Sequence, residues 1–220
     1  MKNTRKLFLF ALAVTLFAVV FCFSASALEE TGSCGPNATW NFNSETGELV
    51  ISGEGRMLGV LDAYYDEATD SILYARSPFE GADEIRTIVI EEGITRIGNY
   101  QFRYCDNLQS ISLSKTLTEI STGAFENCKK LESIKLLENI SIGSDVFKNC
   151  NNLKKVYVDD IDTWLEAKIF DNFFNDGGEL YLNNELLAGV LVIPVGTTEI
   201  REGAFKGCKT ITSVELPSSV

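Results

Sequence analysis

Apolar residues recur along this chain in one fixed order. From Ile97 the series reads Phe102, Cys105, Leu108, Ile111, Leu113 and Leu117, and at Ile120 it restarts with Phe125, Cys128, Leu131, Ile134, Leu136 and Ile140. From Ile142 it continues through Phe147, Cys150, Leu153, Val156 and Val158, and from Ile200 through Phe205, Cys208, Ile211, Val214, Leu216 and Val220. Upstream, Phe79, Ala82, Ile85, Ile88, Ile90 and Ile94 fill the same slots. Self-similarity at a period in the low twenties predicts a solenoid: one unit cannot bury its apolar face alone, and stacked neighbours share a continuous core.

Within a unit, Ile111 and Leu113 alternate with Ser110 and Ser112, a short period-two strand with one face inward. The three-and-three spacing of Phe102, Cys105 and Leu108 suits a short helical or 3₁₀ segment on the other side of the coil. Strands are expected at Ile90, Leu113, Leu136, Val158, Ile193 and Leu216, with gaps of 23, 23, 22, 35 and 23 residues. Six such strands in one parallel sheet would span about 24 Å.

Two stretches depart from the period. Thr39 to Phe42, the turn material Asn43-Ser44-Glu45-Thr46-Gly47, and Leu49 to Ile51 predict a β-hairpin that caps the first coil. The gap of 35 predicts one enlarged repeat at residues 159–190, projecting from one side of the solenoid. It holds a helix over 160–170, with Asp160 or Asp162 as N-cap and Trp164, Leu165 and Ile169 on one side, then a hairpin over 179–187 turning at Asn183-Asn184. The chain therefore divides into a leader at 1–27, a β-rich cap and connector at 28–77, and a repeat solenoid at 78–220.

The unit I-x4-F-x2-C-x2-L-x2-I-x-L, recurring at about 23 residues through Phe79 to Val220, resembles the leucine-rich repeats of the BspA type found in secreted and surface proteins of bacteria. The preceding run, Gly32-Ser33-Cys34-Gly35 with Thr39-Trp40 and Leu49 to Gly55, is similar to the segment that often accompanies these repeats. The resemblance implies a right-handed solenoid of the α/β type with a short parallel sheet on one face, used for adhesion or recognition. Some members bind host matrix proteins such as fibronectin or fibrinogen. No functional residues carry over, because the motif positions are core positions.

Lys2, Arg5 and Lys6, the apolar run of residues 7–23 and Ala25-Ser26-Ala27 make the three regions of a secretory signal peptide, with cleavage expected after Ala27; an uncleaved anchor is the competing reading. Export with no membrane span after cleavage is the expectation. Removing residues 1–27 takes three basic and no acidic side chains with it and moves the formal charge from -12 to -15. Such a surface repels phosphate backbones, so nucleic acid is excluded as a partner. With no histidine in the chain, the commonest general base and transition-metal ligand are missing. No phosphate-binding glycine loop, G-x-S-x-G or paired-cysteine zinc spacing appears. The chain is read as non-enzymatic, with no catalytic residue, cofactor or metal. Asp159, Asp160 and Asp162 lack an EF-hand spacing and are read as a solvated turn with a helix cap.

Cys105, Cys128, Cys150 and Cys208 share one slot, which Ala82 fills in the first repeat, and side chains stacked there point in parallel. That geometry disfavours a disulfide, so these are read as buried packing thiols. Cys34 is read either as exposed and reactive or as packed in the cap.

The outward position between the two core residues of each strand carries Val89, Ser112, Lys135, Tyr157, Val192 and Glu215. Ser112, Lys135, Tyr157 and Val192, joined by Trp164 and Tyr181 of the enlarged repeat, form the candidate ligand face; aromatic side chains of this kind concentrate at interfaces. The competing reading folds Trp164 and Tyr181 back as a satellite core. Two functions are carried forward: a secreted or surface module binding an extracellular protein or glycan, and a targeting portion of a larger secreted enzyme. The last coil stops in mid-register at Val220, so self-association through that uncapped end is a further expectation.

Overall fold

The computed structural model describes residues 28–60, 62–66, 71–169 and 177–220. The leader, its cleavage site and Phe170 of the expected helix lie outside these residues. No helix among the described residues is long and apolar enough to cross a membrane.

The chain begins with β1 (Thr31–Ser33), β2 (Ala38–Asn43) and β3 (Glu48–Gly53), an antiparallel meander. β2 alternates Ala38, Trp40 and Phe42 inward with Thr39, Asn41 and Asn43 outward, the pattern of a sheet with one buried face. β4 (Gly55–Arg56) follows. The connector then forms an antiparallel ribbon of β5 (Ala63–Asp66) and β6 (Ser71–Tyr74). Asp62 ties it to the solenoid by accepting from the Gly59 amide at 2.8 Å and pairing with Arg96 at 3.3 Å.

Each of the first three coils then contributes two strands. β7 (Thr87–Ile90) and β8 (Ile94–Ile97) form the first pair, then come β9 (Ser110–Ser112) with β10 (Glu119–Ile120), and β11 (Ser133–Lys135) with β12 (Ser141–Ile142). β13 (Lys155–Val158), α1 (Ile161–Glu166) and β14 (Lys168–Ile169) follow. The chain closes with β15 (Glu179–Leu182), β16 (Glu185–Leu186), β17 (Gly189–Val192) and β18 (Ile211–Glu215). The result is a β-solenoid of about five turns with coils of about 23 residues. The cap is continuous with it, because β3 pairs in parallel with β7 and sets Leu49 beside Ile88 and Ile51 beside Ile90.

Three features differ from the sequence expectation. The single six-strand sheet is instead three ladders: β1-β2-β3-β7-β9, then β11-β13-β15-β16, then β17-β18. A second parallel ladder, β4-β8-β10-β12-β14, stacks Ile97, Ile120 and Ile142 in register along another side of the coil; its strands are too short for alternation to announce them. Finally, residues 159–190 do not simply project. α1 ends at Glu166, so Ile169 leaves the expected helix face and pairs in register with Ile142, while β15 pairs with β13. The segment thus holds a further coil, and β16 folds antiparallel onto the far edge of β15, which ends that sheet.

Two columns run side by side through the core. The rings of Phe79, Phe102, Phe125 and Phe147 stack at centroid distances of 5.1, 5.3 and 5.7 Å, and Trp40 closes the column edge-on against Phe79 at 5.5 Å. Beside it runs the cysteine column. Cys105, Cys128 and Cys150 are free, buried thiols that donate to the carbonyls of Phe79, Phe102 and Phe125, one coil earlier, at 3.1, 3.2 and 3.0 Å. The slot therefore asks for a small apolar group that can also satisfy a buried carbonyl. Cys34 is packed in the cap. The residue before this slot adopts positive φ at Gly81, Tyr104, Asn127, Asn149 and Gly207, which turns the chain after each phenylalanine and explains the glycine and asparagine found there.

One core position breaks the pattern. Gln101 is fully buried where later coils place Ala124, Val146 and Ala204, and neither side-chain polar atom has a hydrogen-bond partner. An unsatisfied buried amide costs on the order of 1–3 kcal/mol. Gln101→Met, which keeps the volume and removes both polar atoms, is expected to raise stability by about 1 kcal/mol in urea unfolding. A loss of that size would show that the amide is satisfied in solution.

Candidate recognition face

The outward face of the β11-β13-β15-β16 ladder is set by strict alternation. Ile134, Val156 and Leu180 stack inward with almost no exposure, which forces their neighbours outward in two rows: Ser133, Lys155 and Glu179, and Lys135, Tyr157 and Tyr181. The hairpin extends the second row. A two-residue turn with Asn183 and Asn184 both at positive φ places Leu186 opposite Tyr181, and Leu186 is 40% exposed.

The tyrosines are ordered by their neighbours. Their rings stack at 4.7 Å with an interplanar angle of 28°, both half-buried. The Tyr181 hydroxyl donates to Glu179 Oε2 at 2.8 Å, and that bond to a carboxylate raises the phenol above its ordinary pKa. Lys135 Nζ lies 2.7 Å from Asp159 Oδ1, an exposed pair at the end of the row. The row thus runs from charge through two aromatic rings to an aliphatic side chain. Each tyrosine ring covers one face of the other.

The structure brings Lys135, Tyr157 and Tyr181 together and separates the other expected residues. Ser112 is exposed on β9 at the edge of the first ladder, where it pairs with Val89. Val192 is 61% exposed, but its neighbour is Glu215, not Tyr157; Tyr181 takes the rung beside Tyr157. Trp164 is no part of a surface: it is 1% exposed, and its Nε1 donates to the carbonyl of Ala204 at 3.1 Å. A large ring gains more from burial than from solvent, and the next coil supplies the acceptor its N–H needs. Leu186, Glu179 and Asp159 were missed. The first was readable from the Asn183-Asn184 turn, since a two-residue loop fixes Tyr181 against Leu186. Among the described residues, no group of three or more acidic or cysteine side chains could hold a metal ion.

The sequence profile of the BspA type leucine-rich repeat region matches residues 75–176 and 182–220 in six copies, more than half of the chain. No curated protein sequence matches the chain. Among solved structures, a leucine-rich repeat protein from Eubacterium ventriosum is similar at 18% identity and a TM-score of 0.43, over 86% of this chain and 60% of that one. The T. pallidum leucine-rich repeat protein is similar at 23% identity and a TM-score of 0.39, over 80% and 78%. A leucine-rich cell surface protein from Faecalibacterium prausnitzii is similar at 15% identity and a TM-score of 0.35, over 84% and 70%. The chain spans about 60% of the length of the first of these.

Proposed function

Since the chain belongs to the family of BspA type leucine-rich repeat regions, we propose that it is a non-catalytic recognition module, secreted or held at a bacterial surface, that binds an extracellular protein through the row Lys135, Tyr157, Tyr181 and Leu186. The observation that carries this reading is the stacked, half-exposed tyrosine pair on an otherwise polar sheet face. A face needed only for solubility has no use for two tyrosines and a leucine in one row. Ordered aromatic side chains lose little entropy on binding, which is why they recur as anchors at interfaces.

The test compares wild type with Tyr157→Ala and Tyr181→Ala for thermal stability and for retention on immobilised fibronectin and fibrinogen. Retention is expected to fall at least about ten-fold, the effect of an anchor residue worth more than about 1.4 kcal/mol, with a stability loss near 1 kcal/mol. A stability loss of about 3 kcal/mol with retention unchanged would mean that the rings are merely packed.

A further inference from the structure

The coils turn at two positions of positive φ, one two residues before the stacked phenylalanine and one two residues after it. The first is Gly123, Asp145 or Gly203, and the second is Gly81, Asn127, Asn149 or Gly207. These are the residue types that accept the left-handed region most readily. One coil differs at both positions: Tyr100 stands at the first with φ 53° and Tyr104 at the second with φ 62°. A bulky side chain is strained there, and among the described residues no other coil places one at either turn.

The two tyrosines are joined by one arginine. The Tyr100 ring rests against Gly123 of the next coil, where any Cβ would collide with it. Arg103 lies against both rings, its Cζ 5.2 Å from the Tyr100 centroid and 4.6 Å from that of Tyr104, and its Nη2 donates to the Tyr104 hydroxyl at 2.9 Å. Glu126 at 3.0 Å and Glu80 at 3.8 Å offset the guanidinium charge. The arrangement therefore runs from Gly123 through Tyr100 and Arg103 to Tyr104, which is 41% exposed. Burial in the core does not offset the strain at a side chain left so open. Strain held at an exposed, ordered aromatic residue points to a use outside the fold.

We infer that Tyr104, held in place by Arg103 and Tyr100, is a second anchor for the extracellular protein partner and takes an uncharged, partly apolar stretch of it. Tyrosine and arginine are the residue types that concentrate at the centres of protein interfaces, and a side chain already ordered loses little entropy on contact. The Tyr104 hydroxyl accepts from Arg103, which leaves its own proton to donate to a carbonyl of the partner. With Arg103 already facing two carboxylates, a charged partner surface gains nothing here. This inference rests on the protein-binding reading of the tyrosine row and extends it to a second point of contact.

The test compares wild type, Tyr104→Asn, Tyr104→Phe and Tyr157→Ala for melting temperature and for retention on immobilised fibronectin and fibrinogen. Tyr104→Asn gives this coil the residue that Asn127 and Asn149 supply in two others. Its melting temperature is therefore expected to equal or exceed that of wild type, while retention falls at least about ten-fold. Tyr104→Phe keeps the ring, removes the hydroxyl and should lose retention several-fold. The fold loss in Tyr104→Asn should be the same at about 0.05 M and about 0.5 M salt, as an uncharged contact requires. A loss seen only at low salt would show a charged partner surface and overturn the assignment. Retention unchanged in Tyr104→Asn would overturn the inference, and a lower melting temperature beside it would assign the ring to packing. If Tyr157→Ala abolishes retention while Tyr104→Asn leaves it intact, this inference alone fails. If Tyr104→Asn lowers retention while Tyr157→Ala does not, the tyrosine row alone fails. No retention of wild type on either protein would overturn both.

Discussion

Raising the pH from about 8 to about 10 is expected to remove much of the protein's stability, because its core holds thiols that must stay neutral. Cys34, Cys105, Cys128 and Cys208 are each less than a tenth exposed. Desolvation pushes Cys34 up to about 12 and Cys208 up to about 11, and raises Cys105 further. At Cys128 the neighbouring Cys150 thiol and burial both act upward. In the unfolded chain a thiol titrates near about 8.5. A folded pKa above the unfolded one means stability that is fully present below about pH 8.5 and lost as pH rises toward the folded values. Each thiol removes about 1.4 kcal/mol per pH unit in that window, so four remove on the order of 5 kcal/mol per unit, a large share of the 5–15 kcal/mol typical of a domain. Urea unfolding under reducing conditions at about pH 7.5, 9 and 10 should show this fall. The double variant Cys105→Ala/Cys128→Ala should show roughly half the slope. Stability that stays flat to pH 10 would refute the account.

The same column shows what could be read from the chain and what could not. That the slot is small and apolar followed from Ala82 standing where the cysteines stand, and that the thiols stay unpaired followed from their parallel stacking. The bond from each thiol to a phenylalanine carbonyl did not follow, since it joins atoms 25 or 26 residues apart. The repeat, the cap hairpin and the Asn183-Asn184 turn were legible because each is written in local spacing. Ile169 was not. Beside Trp164 and Leu165 it completes a helical face, yet the ladder offers it a rung next to Ile142, and pairing with a neighbouring coil outweighs a weak local preference. That one misreading moved every later rung. Counting 35 residues as one repeat set Val192 beside Tyr157, whereas the hidden coil gives that place to Tyr181. Lys135 and Tyr157, upstream of the miscount, were placed correctly.

Trp164→Ala is expected to cost about 3–5 kcal/mol, the range for deleting a large buried ring. Three losses combine. The cavity is left in a site that is 1% exposed, the bond from Nε1 to the Ala204 carbonyl disappears, and Arg201 loses the ring on which its guanidinium rests, 4.4 Å from the centroid. The last is the most informative. Arg201 stands where other coils have Gly98, Ser121 and Gly143, and its Nε and Nη2 are buried with no hydrogen-bond partner. Burial already lowers its pKa. A long cation is tolerated in a slot made for small residues because Trp164 covers it, so the two side chains should act as a unit. The double variant Trp164→Ala/Arg201→Ser should therefore cost less than the sum of the single variants by about 0.5–2 kcal/mol. Coils in a solenoid contact only their neighbours, so the damage should be local. Hydrogen exchange should quicken in β17 and β18 while β7, β9 and β13 keep their protection. A cost under about 1 kcal/mol for Trp164→Ala, or exchange that quickens evenly along the chain, would show that this ring does not hold the hidden coil to the next.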